Sequence, residues 1–256
     1  MGTYASRCLR ASAASAAAGA AIFTTPALAA APSTIEPADT AWMIVATALV
    51  LMMTIPGLAL FYSGMVRKKN VLATMAQSLA AVMLISILWV AFGYSLAFVG
   101  DGAWIGTLDR AFLAGMGMES VHPGAKTIPE ALFMLYQMTF AIITVALVAG
   151  SVADRMRFSA YLVFGVAWFV FVYVPLAHWI WGGGFLAQAG VVDFAGGLVV
   201  HLSAGTGGLV AAVVMGRRHG YGSENLSPFD LSLAVVGTGL LWVGWFGFNG
   251  GSALGA

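Results

Sequence analysis

Six long apolar runs divide this chain, and the short stretches between them hold nearly all of its later charge. They are Trp42–Tyr62, Ala73–Val99, Ile128–Val152, Ala160–Trp181, Phe194–Met215 and Leu231–Leu254. Each is near or above the ~20 residues that an α-helix needs to cross a hydrocarbon layer of ~30 Å. In hydrocarbon every backbone N–H and C=O must be paired within the protein, which leaves only helices or closed barrels. The period-2 alternation of barrel strands is absent from these runs. The chain is 61% hydrophobic and 8% charged, against about 25% charged for a soluble domain. The expected class is an all-α polytopic membrane protein with about six transmembrane helices, and the lipid bilayer is its expected surrounding. A net charge of +1 without a basic patch gives no reason to expect a nucleic-acid partner. The single cysteine, Cys8, excludes an intramolecular disulfide framework.

The first residues form a separate object. Arg7 and Arg10 make a positive beginning, Ala11–Phe23 is apolar but too short to span, and Thr25–Ala29 ends in an A-x-A pattern. Residues 1–30 are therefore expected to be a secretory signal peptide cut near Ala29, taking Cys8 with it. Nine Lys and Arg remain after that cut. Seven of them (Arg67, Lys68, Lys69, Arg155, Arg157, Arg217, Arg218) follow the first, third and fifth runs. Only Arg110 and Lys126 fall in the other loops. The positive-inside rule makes the richer side cytoplasmic and the mature N-terminus external, and a cleaved signal peptide demands the same orientation. The loop from Gly100 to Thr127 is glycine-rich and mixed in charge, which fits either an ordered cap or a linker. The last run reaches the end of the chain with no charged stop, so the sequence is expected to be a fragment.

The candidate residues for chemistry are few. Asp193 precedes the fifth run, where a carboxylate accepts free N–H groups of a first helical turn, and a cation-binding role is the alternative. His201 lies eight residues on, about 12 Å deeper if the intervening chain is helical. An ionisable side chain at bilayer depth is costly and points to function, although a lone histidine also serves as a helix-packing hydrogen bonder. Small neighbours (Gly196, Gly197, Ser203, Ala204, Gly205) fit a close-packed wall. Tyr136, Phe140, Trp181, Trp245 and Phe248 sit toward the outer ends of their helices. They suit an interfacial belt or a cation–π vestibule, with Ser252 as a possible hydroxyl partner. His178 is expected to pack between helices, and Asp154–Arg155 to form a cytoplasmic cap or salt bridge. Pro56–Gly57 and Pro175 are expected kinks. No zinc spacing, phosphate loop or nucleophile–base pattern is present, so neither a cofactor nor an enzyme is expected.

Five stretches in order resemble the ammonium transporter (Amt/Mep/Rh) family. They are PGLALFYSG at 56–64, YQMTFA at 136–141, HWIWGGG at 178–184, DFAGGLVVHLSAG at 193–205 and GWFGFNGGS at 244–252. The resemblance covers residues 39–256. It implies an eleven-helix fold built from two inverted halves, assembled as a homotrimer with one pore per subunit. This sequence would supply the first five-helix repeat and the first helix of the second. By the same resemblance, Trp181 and Phe140 form the external ammonium site. Ser252 is its hydroxyl, Tyr136 lines its vestibule, and Asp193 shapes it from the helix start. Phe248 stacks below Phe140 as a gate, and His201 is the first of two pore histidines. The second belongs to a later helix than this chain contains, and His219, in the basic loop, cannot replace it.

The function so implied is passage of ammonium, or of its analogue methylammonium, across the cell membrane. The cation is recruited outside, deprotonated, and conducted as ammonia past the histidines. Two rivals remain. One is an ammonium sensor acting through a cytoplasmic PII-type signal protein. The other is an Rh-type gas channel, against which Trp181 argues.

Overall fold

The computed structural model describes residues 34–256. The expected signal peptide at 1–30 lies outside the described residues. Among those described, six helices are long and apolar enough to cross a membrane. We label them α1 (Pro37–Met65), α2 (Lys68–Phe98), α3 (Glu130–Val152), α4 (Phe158–Gln188), α5 (Gly197–Met215) and α6 (Leu231–Gly251). Each covers one of the apolar runs.

The helix α3 is the axis of the bundle. Its most apolar window is 78% buried, against 22–39% for the other five. It packs against α1, α2 and α5, while α6 lies along α1. Small residues set the closest approaches, as expected where lipid supplies no hydrophobic drive between helices. A Cβ at Gly237 of α6 would lie 2.4 Å from the Phe61 backbone nitrogen, and one at Gly64 of α1 would lie 2.6 Å from the Ala234 nitrogen.

The expected break at Pro56 appears, and around Pro175 the helix runs on with a wider turn just before it, a feature that sequence periodicity does not reveal. Ile55 takes an extended conformation (φ −131°, ψ 115°) before Pro56, which bends α1. Wider π-helical turns occupy Met53–Leu58, Trp89–Gly93, Phe169–Tyr173 and Gly197–Leu202. The third of these directly precedes Pro175. Gly182–Gly184 interrupts α4 after Ile180, with Gly183 at φ +83°.

The two ends of the bundle differ. At one end Asp154, its side chain fully buried, pairs with Arg67 (3.3 Å) and Arg218 (3.5 Å) and accepts a hydrogen bond from Asn70. These contacts join the three basic loops. Asp154 thus pairs across loops, whereas Arg155 donates to the carbonyls of Ser151, Ala212 and Gly216 and so caps α3 and α5. At the other end the Gly100–Thr127 loop is an ordered cap. The Arg110 guanidinium meets the buried Glu130 carboxylate (3.3 Å), which also accepts from the Tyr94 hydroxyl (3.0 Å). His178 is fully buried, and its two ring nitrogens face the Ala97 and Gly102 carbonyls (3.1 and 2.6 Å), fastening the start of the loop to α4.

Candidate functional site

Asp193 organises the capped end. Gly196, at φ +88°, turns the chain into α5. The N–H groups of the first turn then have no partners within the helix. The Asp193 carboxylate accepts four of them, from Gly196, Gly197, Leu198 and Val199, at 2.8–2.9 Å. Its own carbonyl accepts from the Trp181 indole nitrogen at 2.7 Å. One residue therefore holds both the start of α5 and the orientation of the Trp181 ring.

That ring is part of the wall of a pocket of about 130 Å³, which Tyr136, Phe140, Asp193 and Ser252 also line. A water occupies about 30 Å³ in the liquid, so the space suits one small ion with few waters. The residues come from four separate places: α3, the end of α4, the entry to α5 and the end of α6. The Tyr136 hydroxyl donates to the Phe248 carbonyl (2.8 Å), and the Gly247 carbonyl lies 3.0 Å away. The Ser252 hydroxyl donates to the Phe248 carbonyl (2.7 Å). Ser252 has thus committed its proton and keeps oxygen lone pairs with which to accept.

A file of rings leads inward from the pocket. Phe140 meets Trp181 edge-on, with centroids 5.8 Å apart, and overlaps Phe248 at 4.2 Å. Phe248 meets His201 at 5.8 Å. Phe140 and Phe248 are both 1% exposed and stand between the pocket and the imidazole, whereas His201 itself is exposed in this chain. Trp245 lies beside His201 at 5.5 Å.

His201 Nδ1 lies 3.0 Å from the Gly196 carbonyl, which can only accept, so Nδ1 carries the proton. In the neutral ring, Nε2 is left as a bare acceptor. The helix begins at Gly197 rather than at Asp193, so His201 lies only about 6 Å along it instead of 12 Å. His219 is 91% exposed in the basic loop.

The pocket also contains residues that sequence reasoning passed over: Phe98, His122, Phe133 and Gln137. Phe98 ends α2, Phe133 and Gln137 lie on α3, and the only local signal for His122 is the His122-Pro123-Gly124 turn in a loop without periodicity. Among the described residues no group of three or more His, Cys, Asp or Glu could hold a metal ion.

Six helices long and apolar enough to span, with a small aromatic pocket at one end, define a multi-pass membrane protein. Residues 41–256 match the model of the Ammonium Transporter Family, and the chain belongs to that family, one of transporters rather than enzymes. It is 50% identical over 218 residues to a putative ammonium transporter of Methanothermobacter thermautotrophicus, covering 85% of this chain and 53% of that one. It is 51% identical to an ammonium transporter of Bacillus subtilis, covering 84% and 52%. The fold superposes on the crystal structure of Candida albicans Mep2 with a TM-score of 0.78 at 38% identity, covering 87% of this chain and 50% of that one. It also matches a structure described as a sensor Amt protein, with a TM-score of 0.77 at 28% identity. The chain spans about half the length of the relatives it matches.

Proposed function

We propose that the protein to which this chain belongs carries ammonium across the cell membrane, and that the capped pocket is where it takes the cation. One observation carries the reading. A pocket sized for a single small ion is walled by Trp181, Phe140, Tyr136 and Ser252, and a file of rings runs from it to His201. The ring faces of Trp181 and Phe140 offer cation–π attraction, and the Ser252 oxygen accepts one N–H. Potassium meets the same ring faces but has no N–H to donate, so it gains no directional hydrogen bond at the Ser252 oxygen in return for its lost water.

A bare charge cannot cheaply pass Phe140 and Phe248 into the apolar interior. The cation therefore hands its proton to water at the outer mouth of the pocket, and ammonia alone goes on. Ammonia then passes as the two phenyl rings swing apart, and it donates an N–H to Nε2 of His201. We further assign residues 39–256 to the first repeat, and the first helix of the second, of an inverted-repeat transporter. In the homotrimeric whole, the basic end faces the cytoplasm and the capped end faces outward after removal of residues 1–30. The seven cations on the basic loops support that orientation. A PII-type protein is the partner expected on the basic face.

The test uses the complete gene that carries this sequence, expressed in cells without their own ammonium transporters. Labelled methylammonium uptake and membrane current are followed together for wild type and His201→Ala. Saturable uptake that excess ammonium blocks, and that the substitution alters, is the expected result. The likeness to a sensor Amt protein favours a second reading, an ammonium receptor. Saturable binding without uptake would replace the first reading with that one.

A further inference from the structure

His122 lines the same pocket as Trp181 and Ser252 although it lies in the capping loop, far from both in the chain. Its ring stacks on Phe133 (4.4 Å, 15°) and meets Phe98 edge-on (5.9 Å, 89°). Both nitrogens are engaged, in opposite senses. Nε2 lies 2.9 Å from the Phe98 carbonyl, which can only accept, so Nε2 donates. Nδ1 receives the Gly124 N–H at 3.0 Å, so it must present a lone pair. The bonds around the ring therefore specify the neutral Nε2–H tautomer.

We propose that His122 is a specificity residue of the cation pocket, and that its uncharged state is a condition of cation binding, so that an external proton and the transported cation exclude one another. This rests on the reading of the pocket given above. A proton on Nδ1 would do two things. It would set an N–H against the Gly124 N–H and break the turn that holds the ring. It would also place a full charge in the wall of a small pocket whose occupant is itself a cation.

The titratable groups around the ring favour a neutral resting state. Burial holds His122 below the ordinary histidine value of 6.5, and this outweighs the opposing pull of the Phe98 carbonyl and the Glu130 carboxylate. Glu130 on α3 has its own cation in Arg110 of the loop, and Tyr94 on α2 donates to that same carboxylate. Asp193 lines the pocket too, but its carboxylate is spent on four backbone N–H groups. The sign follows. The unfolded chain binds the proton more readily than the folded one, so the contribution of His122 to stability is complete above about pH 6.5 and is lost as the pH falls below it.

The experiment compares wild type with His122→Gln, which keeps a donor for the Phe98 carbonyl and does not titrate. Methylammonium uptake is measured from the complete gene at about pH 7.5 and about pH 5, a range in which methylammonium itself stays protonated. For the wild type the apparent KM should rise about threefold or more in acid as the ring takes up its proton beside the ion, with the maximal rate little changed, and a KM equal at the two pH values overturns the proposal. For His122→Gln the rise should fall below about twofold, whatever KM the variant shows at the higher pH. Should Gln not reach the membrane, His122→Phe keeps the stack on Phe133 and serves the same comparison. A variant that transports and retains the full acid effect on KM overturns the proposal. So does an acid effect confined to the maximal rate. Absence of saturable wild-type uptake at either pH would instead strike the pocket's assigned function, and this inference with it.

Discussion

Asp193 carries the heaviest local load, because one carboxylate closes four otherwise open N–H groups and the same residue's carbonyl fixes Trp181. Asp193→Ala should lower stability by roughly 3 kcal/mol, read by thermal unfolding in detergent, since several charge-assisted bonds go at once. Asp193→Asn, which retains one acceptor oxygen, should fall between that variant and wild type. Ser252→Ala should raise the KM for methylammonium about tenfold and leave its maximal rate within twofold, since it removes one hydrogen bond to the cation. Equal loss in both parameters would place the hydroxyl's role in the passage step. The capping task of Asp193 was readable because an acidic residue at the head of an apolar run has few other uses. The place of His122 was not readable: it touches the pocket only through a loop whose path no periodicity reports.

At the scale of elements, close helix contact and the cap make separate predictions. Gly237 has backbone within 2.4–2.8 Å of where a Cβ would stand. Gly237→Val should force α6 away from α1 and cost about 3 kcal/mol or more, seen as loss of the folded form in detergent. Arg110→Ala leaves Glu130 buried without its cation, and a broken buried pair costs about 3–5 kcal/mol. Amide exchange in residues 100–127 should quicken well before that of α3. The spans themselves were legible, since uninterrupted apolar length allows little else in a bilayer. The four π-helical turns were not, because a run that is apolar all round has no face whose drift would betray a wider turn. The same uniformity hid the late start of α5, which depends on the left-handed conformation of Gly196.

The whole molecule poses the question of sidedness and of what the pocket holds. Met118, 88% exposed in the cap, and Ser223, in the basic loop, lie at opposite ends of the bundle. With the cap outward, Met118→Cys should react with a membrane-impermeant maleimide in intact cells and Ser223→Cys only after lysis. Any cysteine elsewhere in the complete protein is first replaced by serine, so that the label reports these two sites. Loop charge made the separation of the basic loops from the cap legible, but the pairing of α6 with α1 and the convergence of distant segments on one pocket were not legible. Uniformly apolar helices carry no complementary pattern that names their neighbours. The account turns on where the cation sits, and an experimental structure with methylammonium bound locates it directly. One ion is expected in the pocket, its nitrogen over the faces of Trp181 and Phe140 and within hydrogen-bond distance of the Ser252 oxygen. An empty pocket, with the ion held elsewhere in the protein, would contradict it.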